Sequence, residues 1–171
     1  MGTQMEAVVL GWFILTLTDS PFLVGAISAA RMAMNIMALF AGAIADRVPR
    51  HRLLAVVEFM MAGFAALMLV LILSGQLETW HIFAVAVVAG MVRVFQMPAA
   101  QSLVADTLPP DRIANGAAFN NLGRNIAMLL GPLIGGVLFN SFGAKGAYIA
   151  IAVLYIMSGW VALYIRSSGQ K

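Results

Sequence analysis

The sequence predicts an all-α membrane protein, and its composition and its long apolar runs carry this prediction. The chain has 171 residues, of which 62% are hydrophobic and only 10% charged, and its mean hydropathy is +0.94. A soluble domain is about half apolar and about a quarter charged. The apolar runs also lack the period-two alternation of half-buried strands. Lipid is therefore the expected solvent for most of the surface.

Six apolar runs are long enough to be considered as membrane-spanning helices. A helix needs about 20 mainly apolar residues to cross a hydrocarbon core of about 30 Å. Stretches rich in proline, glycine and charge separate the runs, which is typical of loops. We expect one six-helix bundle over residues 1–171, with spans at 4–18, 22–45, 53–74, 82–105, 117–140 and 147–165.

Basic residues lie almost entirely on one side of these six spans. The opposite side holds only Lys145. Because short cytoplasmic loops are enriched in Lys and Arg, the basic side and both termini are predicted to be cytoplasmic. This explains the sequence pI near 9.8 better than a nucleic-acid partner does. The basic side contains Arg47, Arg50, Arg52, Arg112, Arg166 and Lys171.

The residues that most enzyme and metal sites need are scarce. The chain has no cysteine and two histidines, so a disulfide framework and a thiolate metal site are excluded. It also lacks a G-x-S-x-G motif, a phosphate-binding glycine loop and a His–carboxylate cluster. We therefore expect no enzyme activity, no metal and no cofactor.

Several charged and amide side chains fall inside the predicted spans. One charge at the bilayer centre costs about 2.5–3.5 kcal/mol on insertion scales, so these groups should face protein or water. Helical spacing aligns Arg31 with Asn35, and Asn120 with Arg124, while Arg93 and Gln96 share a face of the fourth span.

Two interpretations of these embedded groups remain open. In the first, the arginines are structural and pair with Glu6, Glu58 or free backbone carbonyls. In the second, at least one arginine lines a water-filled substrate or proton path. Arg93 is the first choice for the path, whereas Glu58 lies near the start of its span and is expected to be structural. The predicted path comprises Glu6, Arg31, Asn35, Arg93, Gln96, Asn120 and Arg124.

Small residues and prolines mark two spans for close packing or bending. Glycines three to four residues apart let a neighbouring helix approach closely. A proline removes a backbone donor and bends a helix. Plain tight packing and a gating role both fit this pattern. The residues concerned are Pro98, Gly131, Pro132, Gly135 and Gly136.

The stretch GAIADRVPRHR resembles the loop between helices two and three of the major facilitator superfamily. The family pattern is G-x-x-x-D-R-x-x-R-[RK], and Gly42, Asp46, Arg47 and Arg50 fill it. His51 departs from the last basic position. The stretch ADTLPPDRIANG resembles the cytoplasmic loop after helix four of that family, with Asp106 and Arg112 at its acidic and basic positions.

Two further stretches resemble motifs inside helices of the same superfamily. RVFQMPAA matches R-x-x-Q-G at Arg93 and Gln96, with Met97 in place of the glycine. AMLLGPLIGG is similar to the fifth-helix motif of the exporting branch, G-x-x-x-G-P-x-x-G-G, with Ala127 at the first glycine. The sequence around these motifs is similar to those of the branch that contains the enterobactin exporter and drug or macrolide efflux proteins.

The resemblance implies the first half of a twelve-helix transporter in a plasma membrane of the bacterial inner-membrane type. Such proteins bind substrate near the midplane, between two six-helix halves. The expected partners are the lipid bilayer, a small-molecule substrate, protons, and either a second six-helix half or a homodimer mate. The expected function is proton-coupled export of a small amphipathic molecule, siderophore-like or drug-like, by alternating access. The alternative is a non-transporting structural or assembly partner, or an inactive fragment.

Given this resemblance, we expect one embedded acid to carry the proton and a cytoplasmic cluster to form a gate. Arginine does not release its proton in proteins, so Glu6 is the proton-carrier candidate, with Glu58 the other embedded acid. The cytoplasmic gate is expected to be latched in the outward-facing state by the loop after the second span. The gate residues are Gly42, Asp46, Arg47, Arg50, Asp106 and Arg112.

Overall fold

The computed structural model describes residues 1–33 and 49–164, although the side chains at positions 50, 102, 104–107 and 110 lie outside the description. Every regular element in these two ranges is helical, and they contain no strand, which agrees with the all-α class. A short 3₁₀ turn at Pro110–Arg112 precedes the last helix. The α-helices are α1 (Gly2–Thr18), α2 (Pro21–Ala33), α3 (Arg50–Ser74), α4 (Thr79–Arg93), α5 (Gln96–Thr107) and α6 (Ile113–Tyr164).

The predicted fourth span is interrupted in the structure. The segment 82–105 was expected to be one helix, but α4 ends at Arg93 and α5 begins at Gln96. Pro98 has no N–H to donate to the carbonyl four residues earlier, that of Val94, so the α-helical ladder fails there. Phe95 instead donates to the Val92 carbonyl at 3.2 Å, a tighter turn. The break brings the side chains at the end of α4 and the start of α5 close together.

The helix α6 is one element by hydrogen bonding but two by geometry. Its 52 residues would make a straight helix of about 78 Å at about 1.5 Å per residue, far longer than a bilayer is thick. The backbone leaves helical dihedrals at Gly143, with φ 66° and ψ −171°. This region is essentially restricted to glycine. The sequence predicted a bend at Pro132, but α6 departs from helical dihedrals at Gly143.

The part of α6 before Gly143 runs parallel to α1. Gly131 lies against Met5, since a Cβ built on Gly131 would be 3.2 Å from the Met5 nitrogen. Further along both helices, the rings of Phe139 and Phe13 are 6.4 Å apart. The two helices therefore run in the same direction.

The part of α6 after Gly143 runs antiparallel to α1. Tyr148 stands beside Phe13, with ring centroids 6.4 Å apart. Later in α6, the ring of Tyr155 lies 3.4 Å from the position of a Cβ on Gly2. The chain therefore reverses at Gly143, and the two parts of α6 run antiparallel to each other.

The apolar surface has the distribution expected in lipid. Three helical stretches among the described residues are long and apolar enough to cross a membrane, His51–Ser74, Thr79–Gln101 and Ile113–Tyr164, and Pro21–Ala33 is a shorter apolar helix. Many large hydrophobic side chains point outward, for example Phe119, Leu129 and Leu133. The count of six spans stays a prediction, since residues 34–48 lie outside the description.

Candidate functional site

A carboxylate on α1 forms the centre of a charged cluster inside the bundle. Arg93, at the end of α4, donates from Nη2 to Oε2 of Glu6 at 2.7 Å. Tyr155, on α6, donates from its hydroxyl to the same oxygen at 2.6 Å. Arg31, on α2, places Nη2 4.0 Å from Oε1 of Glu6. Four helices thus converge on one acid whose side chain is only 12% exposed.

A second acid lies at the other end of the same hydrogen-bonded network. Glu58, on α3, is 5% exposed and accepts a hydrogen bond from Nε2 of Gln96 at 2.7 Å. The Oε1 atom of Gln96 accepts from the Thr3 hydroxyl at 3.4 Å. The helix break before Pro98 is what sets Gln96 between α1 and α3.

The cluster, defined as Glu6, Glu58, Arg31 and Arg93 with their polar neighbours, balances its formal charges. With both acids ionised, the two carboxylates match the two guanidinium groups. Removing one partner of a buried ion pair leaves an uncompensated charge, which costs about 3–5 kcal/mol. Arg93 also keeps a buried Nε that finds no acceptor among the described residues. The cluster is therefore polar, enclosed and sensitive to the loss of any member.

A small cleft adjoins Glu6 on its apolar side. Its walls are mostly Leu, Phe, Met, Val and Ala side chains from α1, α3 and α4. Tyr148, on α6, is 2% exposed, and its hydroxyl has no hydrogen-bond partner in the described part of the chain. Glu6 therefore has a polar, arginine-lined side and an apolar side.

Close packing between α1 and α6 fixes the position of Glu6. A Cβ on Gly131 would lie 2.9 Å from Cβ of Gln4, and one on Gly135 would lie 2.9 Å from Cγ of Met5. Gly136 meets nothing within 4 Å. Two of the glycines in GPLIGG thus let α1 approach the backbone of α6, which holds the first turns of α1 in place.

The structure joins some of the predicted path residues and separates others. Glu6, Arg31, Arg93 and Gln96 lie in one cluster. Arg124 lies elsewhere: it is exposed, donates to Oδ1 of Asn121 at 2.7 Å and lies 3.4 Å from the sulfur of Met97. Asn120 is also exposed.

Most of the predicted gate cannot be placed. Arg112 pairs with its neighbour Asp111 at 3.8 Å, and both side chains are more than two-thirds exposed, at 72% and 74%. The path residue Asn35 and the gate residues Gly42, Asp46 and Arg47 lie outside the described residues, as do the side chains of Arg50 and Asp106.

Two cluster members were not found from the sequence. Thr3 and Tyr155 are common residue types in apolar helices, so neither is conspicuous by composition. The usable signal for Tyr155 was the general rule that a buried tyrosine hydroxyl finds a partner. No group of His, Cys, Asp and Glu within residues 1–33 and 49–164 is arranged to hold a metal ion.

Comparisons with known proteins agree on one superfamily. The model of the family described as "Transmembrane secretion effector", a branch of the major facilitator superfamily, matches residues 1–170. The MFS-type transporter YkuC of Bacillus subtilis is 27% identical over 98% of this chain and 38% of its own length. The staphyloferrin A transporter of Staphylococcus aureus is 24% identical over 92% of this chain and 40% of its length.

Another relative is a cation/proton antiporter. The Na⁺, Li⁺, K⁺/H⁺ antiporter of Planococcus maritimus is 34% identical over 71% of this chain and 28% of its own length. The chain thus spans well under half the length of these relatives, and no solved structure matches it. These relatives are named as transporters, and the superfamily is not enzymatic, as predicted. The chain belongs to the major facilitator superfamily, in the family of transmembrane secretion effectors, and is an integral membrane protein.

Proposed function

We propose that this chain forms the first half of a proton-coupled exporter of small amphipathic molecules that works by alternating access. In this proposal Glu6 carries the proton. A second six-helix half, or a second copy of the chain, would complete the substrate cavity. The basic loops would face the cytoplasm at the bacterial inner membrane, with both termini inside, and the loop after the second span would latch the gate.

The observation that carries the proposal is the position of Glu6. An ionisable group inside a membrane bundle is costly, so its presence indicates a functional role by default. Glu6 contacts α2, α4 and α6 through Arg31, Arg93 and Tyr155. A change in its charge would therefore alter the contacts of four helices at once. Such differential contact is what a bound proton needs to shift a conformational equilibrium.

The named relatives support the transport class without fixing the substrate. They include a staphyloferrin A transporter, a cation/proton antiporter and the multidrug resistance protein MdtG, which is 29% identical in Serratia proteamaculans over 74% of this chain. Two arginines beside the path would favour an anionic or amphipathic substrate such as a catechol siderophore.

Glu6→Gln in the full-length gene product is the direct test. Proteoliposomes would be loaded with ethidium or a catechol siderophore, and efflux would be measured with and without an imposed pH gradient. We expect the pH-driven component to be lost, because glutamine keeps the shape of the side chain but cannot exchange a proton. Asp19→Asn is the matched control, since that acid is exposed. Unchanged pH dependence in Glu6→Gln would reject Glu6 as the carrier.

A further inference from the structure

Tyr155 faces two acceptors but has one hydroxyl hydrogen. Its oxygen lies 2.6 Å from Oε2 of Glu6 and 3.4 Å from the Thr3 hydroxyl oxygen. The same oxygen accepts a hydrogen bond from Nη2 of Arg93 at 3.5 Å. A phenol donates one hydrogen bond at a time. An ionised Glu6 can only accept, so the hydrogen then points to Glu6. A protonated Glu6 can donate to the Tyr155 oxygen, which frees the tyrosine hydrogen to point to Thr3.

The hydrogen bonds beyond Thr3 run in one direction and end on the second acid. Thr3 donates to Oε1 of Gln96 at 3.4 Å, and Nε2 of Gln96 donates to Oε1 of Glu58 at 2.7 Å. Hydrogen bonds arranged head to tail polarise one another. When Tyr155 turns to Thr3, it adds one donor at the head of this series, which favours the ionised form of Glu58.

This series does not conduct protons between the acids. The Gln96 side chain is an amide, and an amide carries no proton that titrates in the ordinary pH range. What can pass along the series is the direction of the hydrogen bonds. The two acids are therefore linked in orientation and charge, while each exchanges protons separately.

We propose that Tyr155 is a positioning residue that couples the protonation of Glu6 to that of Glu58, so that a proton bound at one acid disfavours a proton at the other. This rests on the proposed role of Glu6 as proton carrier and extends it to a second carboxylate. The series crosses α1, α3, α5 and α6, so the coupling links four helices. The charged and titratable groups that face Glu6 are Arg31 from α2, Arg93 from α4 and Tyr148 and Tyr155 from α6, with Glu58 of α3 reached through Gln96.

The test measures the protonation of Glu58 directly, without transport. Infrared spectra of the full-length protein in liposomes report the carbonyl stretch of protonated carboxyl groups, and Glu58→Gln identifies the band of Glu58 by its loss. The band would be followed from acidic to alkaline pH in the parent, Glu6→Gln, Tyr155→Phe and the double variant. The glutamine at position 6 can donate to the Tyr155 oxygen, so it imitates protonated Glu6.

We expect Glu6→Gln to weaken the Glu58 band, at the pH where the parent has lost half of it, about threefold more when Tyr155 is present than when phenylalanine replaces it. This difference is the coupling that a double-mutant cycle isolates. Phenylalanine keeps the ring packing, and direct charge interaction between the acids acts equally in both backgrounds. Equal weakening in the two backgrounds would overturn the coupling.

Tyr148→Phe is the matched control on the same helix. Tyr148 is as buried as Tyr155, at 2% exposure each, but its hydroxyl has no partner among the described residues. We expect this control to leave the effect of Glu6→Gln intact, and loss of the effect would overturn the assignment to Tyr155. If the infrared cycle shows the coupling but efflux keeps its pH dependence in Glu6→Gln, only the proposed function is rejected. The two failures are therefore distinguishable.

Discussion

Replacing Gly131 by alanine is expected to push α1 away from α6. The added Cβ would lie 2.9 Å from Cβ of Gln4, 3.2 Å from the nitrogen of Met5 and 3.3 Å from the carbonyl oxygen of Met1. Two of these atoms are backbone, and the third is bonded directly to it. None is the flexible end of a side chain, so relief requires a shift of the helix itself.

The magnitude follows from two opposing effects. Overpacking a tight contact costs about 1–3 kcal/mol, and the fixed neighbours at Gly131 place it near the upper end. Alanine recovers about 1 kcal/mol over glycine in helix propensity. The net loss at Gly131 is therefore about 2 kcal/mol. At Gly136, where a Cβ meets nothing within 4 Å, only the propensity gain remains, so alanine there should be neutral or stabilising.

Thermal unfolding of the purified protein in detergent, followed by tryptophan fluorescence, would measure the difference. For a chain of this size, each kcal/mol shifts the melting temperature by about 2–4 °C. We expect Gly131→Ala to melt about 4–8 °C below the parent, and Gly136→Ala to melt at or above it. Equal melting temperatures for the two variants would show that α1 does not rest against Gly131, and the placement of Glu6 would lose its support.

Two further substitutions test the cluster and the chain reversal by the same unfolding measurement. Arg93→Ala should cost about 3 kcal/mol because it leaves Glu6 with a weakened counter-charge, whereas Arg124→Ala, at an exposed site, should stay within about 0.5 kcal/mol; similar costs would contradict the cluster. Gly143→Ala should cost about 1–3 kcal/mol because its backbone region is closed to other residues. Gly63→Ala, in open space on α3, should cost nothing, and a harmless Gly143→Ala would contradict the reversal.

The helical class was predictable, but the places where helices end were less so. Composition and the length of the apolar runs are enough to identify helices in lipid. The interruption of the fourth span was readable in principle, because Pro98 removes a donor to a carbonyl one turn earlier. The sequence NSFGAKG predicts a loop between the fifth and sixth spans, but it does not predict that the dihedrals of one glycine make the turn.

Embedded charges were the predictable part of the site. Their cost in lipid makes Glu6, Arg31 and Arg93 conspicuous in any apolar run. The role expected for Glu58 was judged from its distance along α3, which says nothing of neighbours. Its low exposure and its bond to Gln96 depend on α5 and α6 packing against α3. Such contacts between helices distant in sequence cannot be read from the spacing within one helix.

The cluster explains why the loss or gain of one proton would affect the contacts between several helices of the bundle. Glu6 and Glu58 together balance Arg31 and Arg93, so protonation of either acid leaves an excess of positive charge in an enclosed place. In a low-dielectric interior that excess is costly unless the helices rearrange or the other acid stays ionised. Tyr155 provides the second response, because its hydrogen can turn from Glu6 towards the series that ends on Glu58. Coupling between the acids would thus keep the cluster near neutrality while a proton passes through it.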